Sequence, residues 1–348
     1  MPLSVVESLN SGLNYSLSAD DRVLLMGEDM IDPYGGAFKV TKGLSTLYPQ
    51  RVLNTPISEG GLVGLGAGMA LRGLRPVVEI MFGDFITLAA DALTNTLSKY
   101  PWMYAGQVQL PLVIRTPMGG RRGYGPTHSQ SLEKMVMAIP GIRVLAPVNL
   151  AHLAINPRYH ALGSPGALLA WAILEQDTPT VFIENKVQYP AALFDEDSLN
   201  EFDVRQIGNT CPTIIFNIRS APAPVATLAA YGGMVDLARE AMLKLAYEEE
   251  IFTQLIVPTQ LSPFNVDPFL DSVSQTQRLI TIEEGTLTLG WGAEIVARVS
   301  EKMGGKLIYA HRLAAPDQPI PASRIQEENI LPGVTDMIQL VKSILKNV

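Results

Sequence analysis

Cysteine is nearly absent from this chain: Cys211 is the only one among 348 residues. An internal disulfide is therefore excluded, no ligand cluster surrounds the thiol, and Cys211 reads as a small core residue in a reducing compartment. Histidine is scarce as well, with four copies, so one that sits in a patterned context stands out. No basic run exceeds Arg121-Arg122, and 26 Lys+Arg against 34 Asp+Glu leave a net charge of −8. That balance lacks the electrostatic footprint of a nucleic-acid binder. The longest apolar stretch, near Gly166 to Leu174, is too short to span a bilayer, and no basic segment leads into an apolar core at the start. The expectation is a soluble, untargeted, cytoplasmic protein without membrane or nucleic-acid partners. Repeats of solenoid period and low-complexity segments are missing too.

What remains is apolar and alternating. Hydrophobic residues reach 47% and charged ones only 17%, which predicts apolar surface hidden against partner subunits. The length predicts two domains. Between about 22 and 185, the runs at Val23–Met26, Pro76–Phe82, Leu110–Arg115, Arg143–Ala146 and Thr180–Ile183 read as buried strands. Helical periodicity separates them, as in Leu88 to Tyr100. This is the pattern of a parallel sheet flanked by helices, whose ligands sit beyond the carboxyl ends of the strands. Glu28, Phe85 and the loop from Thr116 to Gln130 each follow such a strand, so the motifs are expected at one edge. Residues 189–212 turn acidic and proline-flanked and read as a linker between a domain at 1–188 and a smaller α/β domain at 213–348. In the latter, strands are expected at Val225–Ala230, Phe252–Val257, Arg278–Ile282 and Lys306–Tyr309, with helices near 234–248, 293–303 and 334–346.

Two segments concentrate the chemistry. Thr55-Pro-Ile-Ser-Glu59-Gly-Gly-Leu-Val-Gly-Leu-Gly-Ala-Gly68 places one acid among apolar and glycine neighbours at the mouth of a helix. Acids are also common at helix starts for electrostatic reasons alone. Pro126-Thr-His128-Ser-Gln-Ser131 follows the loop Gly119-Gly-Arg-Arg-Gly-Tyr-Gly125. His128 is of a residue type suited to proton transfer, while its plain alternative is a helix-start histidine capped by Thr127 or Ser129. Arg121 and Arg122 are suited to a substrate carboxylate, a phosphate or an acidic domain, or are ordinary solvated loop residues. His152, His160 and His311 read as structural, and Glu283-Glu284 as a structural turn.

These residues resemble the beta subunit of the thiamine diphosphate-dependent 2-oxoacid dehydrogenases, within the transketolase-like family. The likeness also takes in Gly27-Glu28-Asp29, Phe38-Lys-Val-Thr41, Arg72-Gly-Leu-Arg-Pro76, Glu79-Ile-Met-Phe82-Gly-Asp-Phe85, Glu283-Glu-Gly285 and Gly292-Ala-Glu-Ile295, in order along the chain. It implies a transketolase-like pyrimidine-binding domain followed by a smaller transketolase C-terminal α/β domain. It further implies that Glu59 hydrogen-bonds a ring nitrogen of the cofactor's aminopyrimidine, in a low-dielectric setting that favours sharing a proton. Ile57 and Phe85 would pack against that ring, Glu28 would join Glu59 in an acidic network, and His128 would handle the oxoacid and its protons. The resemblance also implies a structural potassium ion on the main-chain carbonyls of Leu112, Ile173, Leu174, Gln176 and Thr178. The segment Val148 to Gly166 is longer and more irregular than the family's helix start there, which bears on that ion.

The wider family binds magnesium and the diphosphate through Gly-Asp-Gly followed by Asn, and this chain contains no Gly-Asp-Gly. A buried diphosphate needs such partners, so magnesium is expected on a separate alpha subunit within an α2β2 heterotetramer. The expected activity is oxidative decarboxylation of a 2-oxoacid with acyl transfer to the lipoyl group of a transacylase. A specialised thiamine-dependent acyl-transfer enzyme or one of the acetoin dehydrogenase type, and a non-catalytic subunit of the same fold, are the alternatives.

Overall fold

The computed structural model describes residues 3–346. Two compact units divide the chain: the first takes in the chain up to Met118, Met135–Leu193 and Leu261–Pro263, and the second Gly119–Lys134, Phe194–Gln260 and the chain from Phe264 onward.

The first unit is built on strands β1 (Val23–Gly27), β2 (Val52–Asn54), β3 (Arg75–Glu79), β4 (Val113–Met118), β5 (Arg143–Leu145) and β6 (Thr180–Asn185). Strands β1, β3 and β4 are buried along their whole length, as expected for a sheet covered on both faces. Each described pairing among these six strands is parallel. The spatial order β5-β6-β4-β3-β1-β2 sends Glu28, the Phe85 turn and the loop after Met118 off the carboxyl ends of β1, β3 and β4.

Two covering helices, Val5–Ala19 and Gly163–Glu175, meet at paired glycines. A Cβ on Gly166 would stand 2.1 Å from the Ser8 carbonyl oxygen, and one on Gly12 would stand 2.5 Å from that of Gly166. Ser8 stitches the crossing: its hydroxyl donates to Leu162 O at 2.6 Å and accepts from Gly166 N–H at 2.9 Å. The irregular segment expected at Val148 to Gly166 thus ends as a helix start fitted to its neighbour.

The stretch from Leu88 to Tyr100, expected as one helix, is instead a 3₁₀ turn (Gly83–Ala89), a π segment (Ala92–Leu97) and a short α-helix (Tyr100–Met103). Asn95 and its polar neighbours favour side-chain bonding over regular helix. Asn95 donates to Asp91 and accepts from Lys99, both at 2.5 Å.

The second unit carries β7 (Phe202–Ile207), β8 (Thr213–Ile218), β9 (Ala226–Ala230), β10 (Thr253–Pro258), β12 (Arg278–Thr286) and β13 (Tyr309–Ala315) in the order β13-β12-β9-β10-β8-β7. The intervening β11 (Gln260–Ser262) sits at the far edge of the first sheet, beside β5. The second sheet is mixed, with β7–β8 and β8–β10 antiparallel and the other pairs parallel. Helices Met234–Glu249, Asp267–Thr276, Trp291–Met303 and Val334–Lys346 accompany it.

Several expectations change here. The stretch read as linker contains β7, an edge strand with one polar, exposed side. The strand expected at Lys306–Tyr309 begins at Tyr309, because Gly304, in left-handed conformation, opens a 3₁₀ turn before it. Glu283 and Glu284 lie inside β12 rather than in a turn. Cys211 is half-buried between β7 and β8 instead of in the core. No described helix is long and apolar enough to cross a membrane.

Candidate active site

In the first unit, helix Glu59–Leu71 starts directly on the acid, and Ser58 at its cap makes no side-chain hydrogen bond. Glu59 is only 5% exposed, whereas Ile57, two residues earlier, is 82% exposed. Among the described residues no hydrogen bond or ion pair engages the Glu59 carboxyl. A buried acid without partners is costly, and a large apolar side chain held in the open beside it is unusual. Gly60 lets the 3₁₀ turn Gly83–Ala89 come close, since a Cβ there would stand 2.9 Å from Leu88 O. That turn carries Phe85, half-buried.

Glu28, half-buried after β1, is pushed above the ordinary carboxyl range first by burial and then by the charges of Glu59 and Asp29. The structure therefore brings Glu28, Glu59 and the Phe85 turn together, with Ile57 exposed two residues before Glu59.

Residues with no role assigned from sequence stand behind Phe85. Its ring meets Phe82 edge-on at 6.1 Å, Phe82 meets Phe38 at 5.6 Å, and Phe38 stacks on Tyr189 at 5.0 Å. The ammonium of the buried Lys186 lies 5.4 Å from the centre of the Phe82 ring. Tyr189 then donates to Glu184 at 2.6 Å. Glu184 receives two bonds from Arg115, at 2.7 and 2.8 Å, and Arg115 reaches Glu79 at 2.7 Å. Burial opposes charge on Arg115, but Glu184 and Glu79 more than offset it and hold its proton. Burial raises the Glu79 carboxyl despite Arg115 beside it. Phe38 and Phe82 lie in the quoted motifs; an Arg on β4 level with Glu79 on β3, with Glu184 on β6 two residues past its own level, is the available signal for the charges behind them.

Two of the five carbonyls implied for potassium, those of Ile173 and Gln176, have another partner. Buried Arg75 donates through Nε to Ile173 O at 2.5 Å and through Nη2 to Gln176 O, and pairs with Asp177 at 3.0 Å. A second cation on those two oxygens would face repulsion from the guanidinium at short range. Among the described residues, no group of three or more His, Cys, Asp or Glu is placed to hold a metal ion.

In the second unit, His128 lies in a turn, half-buried, with Nδ1 2.8 Å from Thr127 Oγ1. It does not start a helix; the next one begins at Glu133. Arg121 is half-buried and spends its guanidinium on Pro332 O at 2.6 Å, whereas Arg122 is exposed, 5.6 Å from the centre of the Tyr124 ring. Four buried acids gather in this unit: Glu133, Glu283, Glu284 and Glu327. Tyr231 donates to Glu133 at 2.6 Å, and Glu283 accepts from Trp291 and Gly292 N–H at 2.6 and 2.9 Å.

Burial, with the charge of Glu133 second, pushes Glu283 up from 4.5 to about 7. The folded protein thus holds a proton on Glu283 that the unfolded chain releases above about pH 4.5, so this group's contribution to stability falls as pH rises through that window and levels off above 7. The loss is on the order of 3 kcal/mol. Chemical denaturation at several pH values is expected to show Glu283→Gln gaining on the parent protein by that order between pH 4.5 and 7; parallel curves would contradict it.

Residues 2–191 match the family described as transketolase, pyrimidine binding domain, and residues 217–337 match transketolase, C-terminal domain. The pyruvate dehydrogenase E1 component subunit beta-1 of Arabidopsis thaliana mitochondria is 36% identical, over 98% of this chain and 88% of its own. The beta subunit of acetoin:2,6-dichlorophenolindophenol oxidoreductase from Bacillus subtilis (strain 168) is 32% identical, over 99% and 97%. Among solved structures, a split-gene transketolase in an inactive beta4 tetramer is similar in fold, with a TM-score of 0.70, 18% identity and 99% coverage of both chains.

Proposed function

Because the chain belongs to the family of pyruvate dehydrogenase E1 beta subunits, built from transketolase pyrimidine-binding and C-terminal domains, we propose that it is the beta half of a thiamine diphosphate-dependent 2-oxoacid dehydrogenase. It works only with an alpha subunit, as an α2β2 heterotetramer, and passes the acyl group to the lipoyl arm of a transacylase. The observation that carries this reading is Glu59: a buried acid, without a partner among the described residues, beside an exposed Ile57 and a half-buried Phe85.

Thiamine diphosphate, when bound, supplies the electron sink for loss of carbon dioxide and transfer of the acyl group. The chain's own residues have narrower tasks. Glu59 holds a proton at its carboxyl toward a nitrogen of the aminopyrimidine, and Glu28 keeps its surroundings acidic. Ile57 and Phe85 wall that ring and keep water from it. His128 moves protons at its imidazole during substrate binding and acyl handover. Magnesium and the diphosphate fall to the alpha subunit, whose Gly-Asp-Gly motif this chain lacks. Arg75, already seated on two of the relevant carbonyls, leaves potassium out of the scheme. A cytoplasmic location suits a chain with a single cysteine.

Coproduction with an alpha subunit that carries the motif tests the proposal. The pair is expected to reduce an artificial electron acceptor in the presence of thiamine diphosphate, magnesium and a 2-oxoacid, and neither chain alone is. Full activity of this chain by itself would overturn the reading. The acetoin-named relative favours one other substrate class: turnover of acetoin but of no 2-oxoacid would move the chain to that branch.

A further inference from the structure

The loop between β4 and His128 has no regular structure, yet its shape is closely prescribed. Gly119, Arg121, Gly123 and Gly125 all have positive φ, and for Arg121, at +66°, that conformation carries a steric cost. Something must hold it. Gly120 N–H donates to Glu284 Oε1 at 2.7 Å. Arg121 N–H donates to Glu327 Oε1 at 2.7 Å, and Gly123 N–H to Glu327 Oε2 at 3.0 Å. Glu327 is fully buried and Glu284 nearly so. A run of peptide N–H groups in such a conformation is an anion cradle; here the anions are the protein's own carboxylates. Gly120 has no spare room, because a Cβ there would stand 2.6 Å from Glu327 Oε1 and 2.9 Å from Leu331 Cδ1.

The far end of the same segment is tied as well. Lys134 Nζ donates to Thr286 Oγ1 at 2.5 Å and Thr288 O at 2.7 Å, next to Glu133 with its bond from Tyr231. His128 lies between the two anchors, its N–H on Gly125 O at 3.3 Å. Glu284 on β12 and Glu327 on the helix Arg324–Ile330 therefore fasten one end, and the residues at the end of β12 and just beyond it fasten the other.

From this geometry we infer that Glu327 and Glu284 are positioning residues for His128: two buried carboxylates of the C-terminal unit fold the Gly119–Gly125 loop into one shape and thereby fix the imidazole. The inference rests on the role of His128 proposed above. It gives the C-terminal unit a part in the chemistry. A buried carboxylate satisfied by peptide N–H groups stays satisfied only while the loop keeps this shape, so loop and acid hold each other.

The test uses the assembled pair with its alpha subunit. Glu327→Gln removes the charge and turns an amide NH₂ toward one of the two N–H donors. It is expected to speed hydrogen exchange at the amides of 120, 121 and 123 and to lower kcat about 10- to 100-fold, with coenzyme affinity unchanged. In a His128→Ala background the same substitution is expected to cost nothing further, since it acts through the imidazole. Gly120→Ala, which pushes on Glu327 without altering charge, is expected to give the same signature and serves if Glu327→Gln does not fold. Unchanged exchange and kcat, or losses that multiply with that of His128→Ala, would overturn the inference. Intact turnover in His128→Ala alone would refute the role of His128 instead, and amide exchange would then decide: faster exchange upholds the clamp, unchanged exchange removes it.

Discussion

Glu59→Gln is expected to lower turnover of the assembled enzyme by about 10²–10⁴-fold, the range associated with a positioned proton-transfer group. The substitution keeps the size and planarity of the side chain and removes only its acidity. Thiamine diphosphate affinity should therefore change little, because the ring still meets Ile57 and Phe85. Folding should not suffer either: Glu59 is 5% exposed and its carboxyl has no described partner, so the neutral amide loses no bond. Lost kcat, near-normal coenzyme binding and an equal or higher melting temperature form the signature of a residue kept for chemistry at a cost in stability. Calorimetry, coenzyme titration and steady-state rates on one preparation read all three. Intact turnover would remove the acid from the mechanism, and a sharp loss of stability would make Glu59 a structural residue.

Arg115→Met is expected to act in the opposite way, through the fold. Arg115 is fully buried between Glu79 and Glu184, with the Tyr189 hydroxyl completing the group. Removing the guanidinium leaves two carboxylates close together in the interior, a change that typically costs about 3–5 kcal/mol. Glu79, already raised by burial, would then be raised further without Arg115, so the folded state would hold a proton that the unfolded chain gives up; the damage should be greatest at neutral pH and shrink toward pH values near the ordinary carboxyl range. Adding Glu79→Gln and Glu184→Gln should recover part of the loss by removing the orphaned charges. Denaturant titrations at two pH values check this, and a loss below about 1 kcal/mol would mean that the ion cluster contributes only marginally. Because Tyr189, Phe38, Phe82 and Phe85 stack outward from the cluster, weaker coenzyme binding should accompany the loss.

Much of this arrangement is visible in the residues alone, for identifiable reasons. Strands β1, β3 and β4 are continuous apolar or paired-charge runs because both faces of a parallel sheet are covered, and their carboxyl ends locate Glu28, the Phe85 turn and the loop toward His128. Glu59 is legible because an acid at the head of a glycine-rich apolar helix is chemically out of place.

Other features leave weak traces. Strand β7 hides in an acidic stretch because an edge strand needs only its partner-facing backbone and one apolar side. Glu283 and Glu284 suggest a turn, since charged pairs seldom occupy a buried strand; what rescues them is peptide N–H groups outside the strand, at Trp291 and Gly292 just beyond it and at Gly120 far back in the chain. Gly119–Lys134 belongs to the second unit, to which the Gly120 bond ties it. Backbone carbonyls carry no residue signature at all, so the place of Arg75 among them emerges only in three dimensions.

The most direct measurement is a structure of the chain with its alpha partner, thiamine diphosphate and magnesium. The account predicts the Glu59 carboxylate within about 3 Å of an aminopyrimidine nitrogen, with the metal and diphosphate held by the partner. A Glu59 side chain turned to bulk solvent, or a diphosphate gripped by this chain alone, would contradict it.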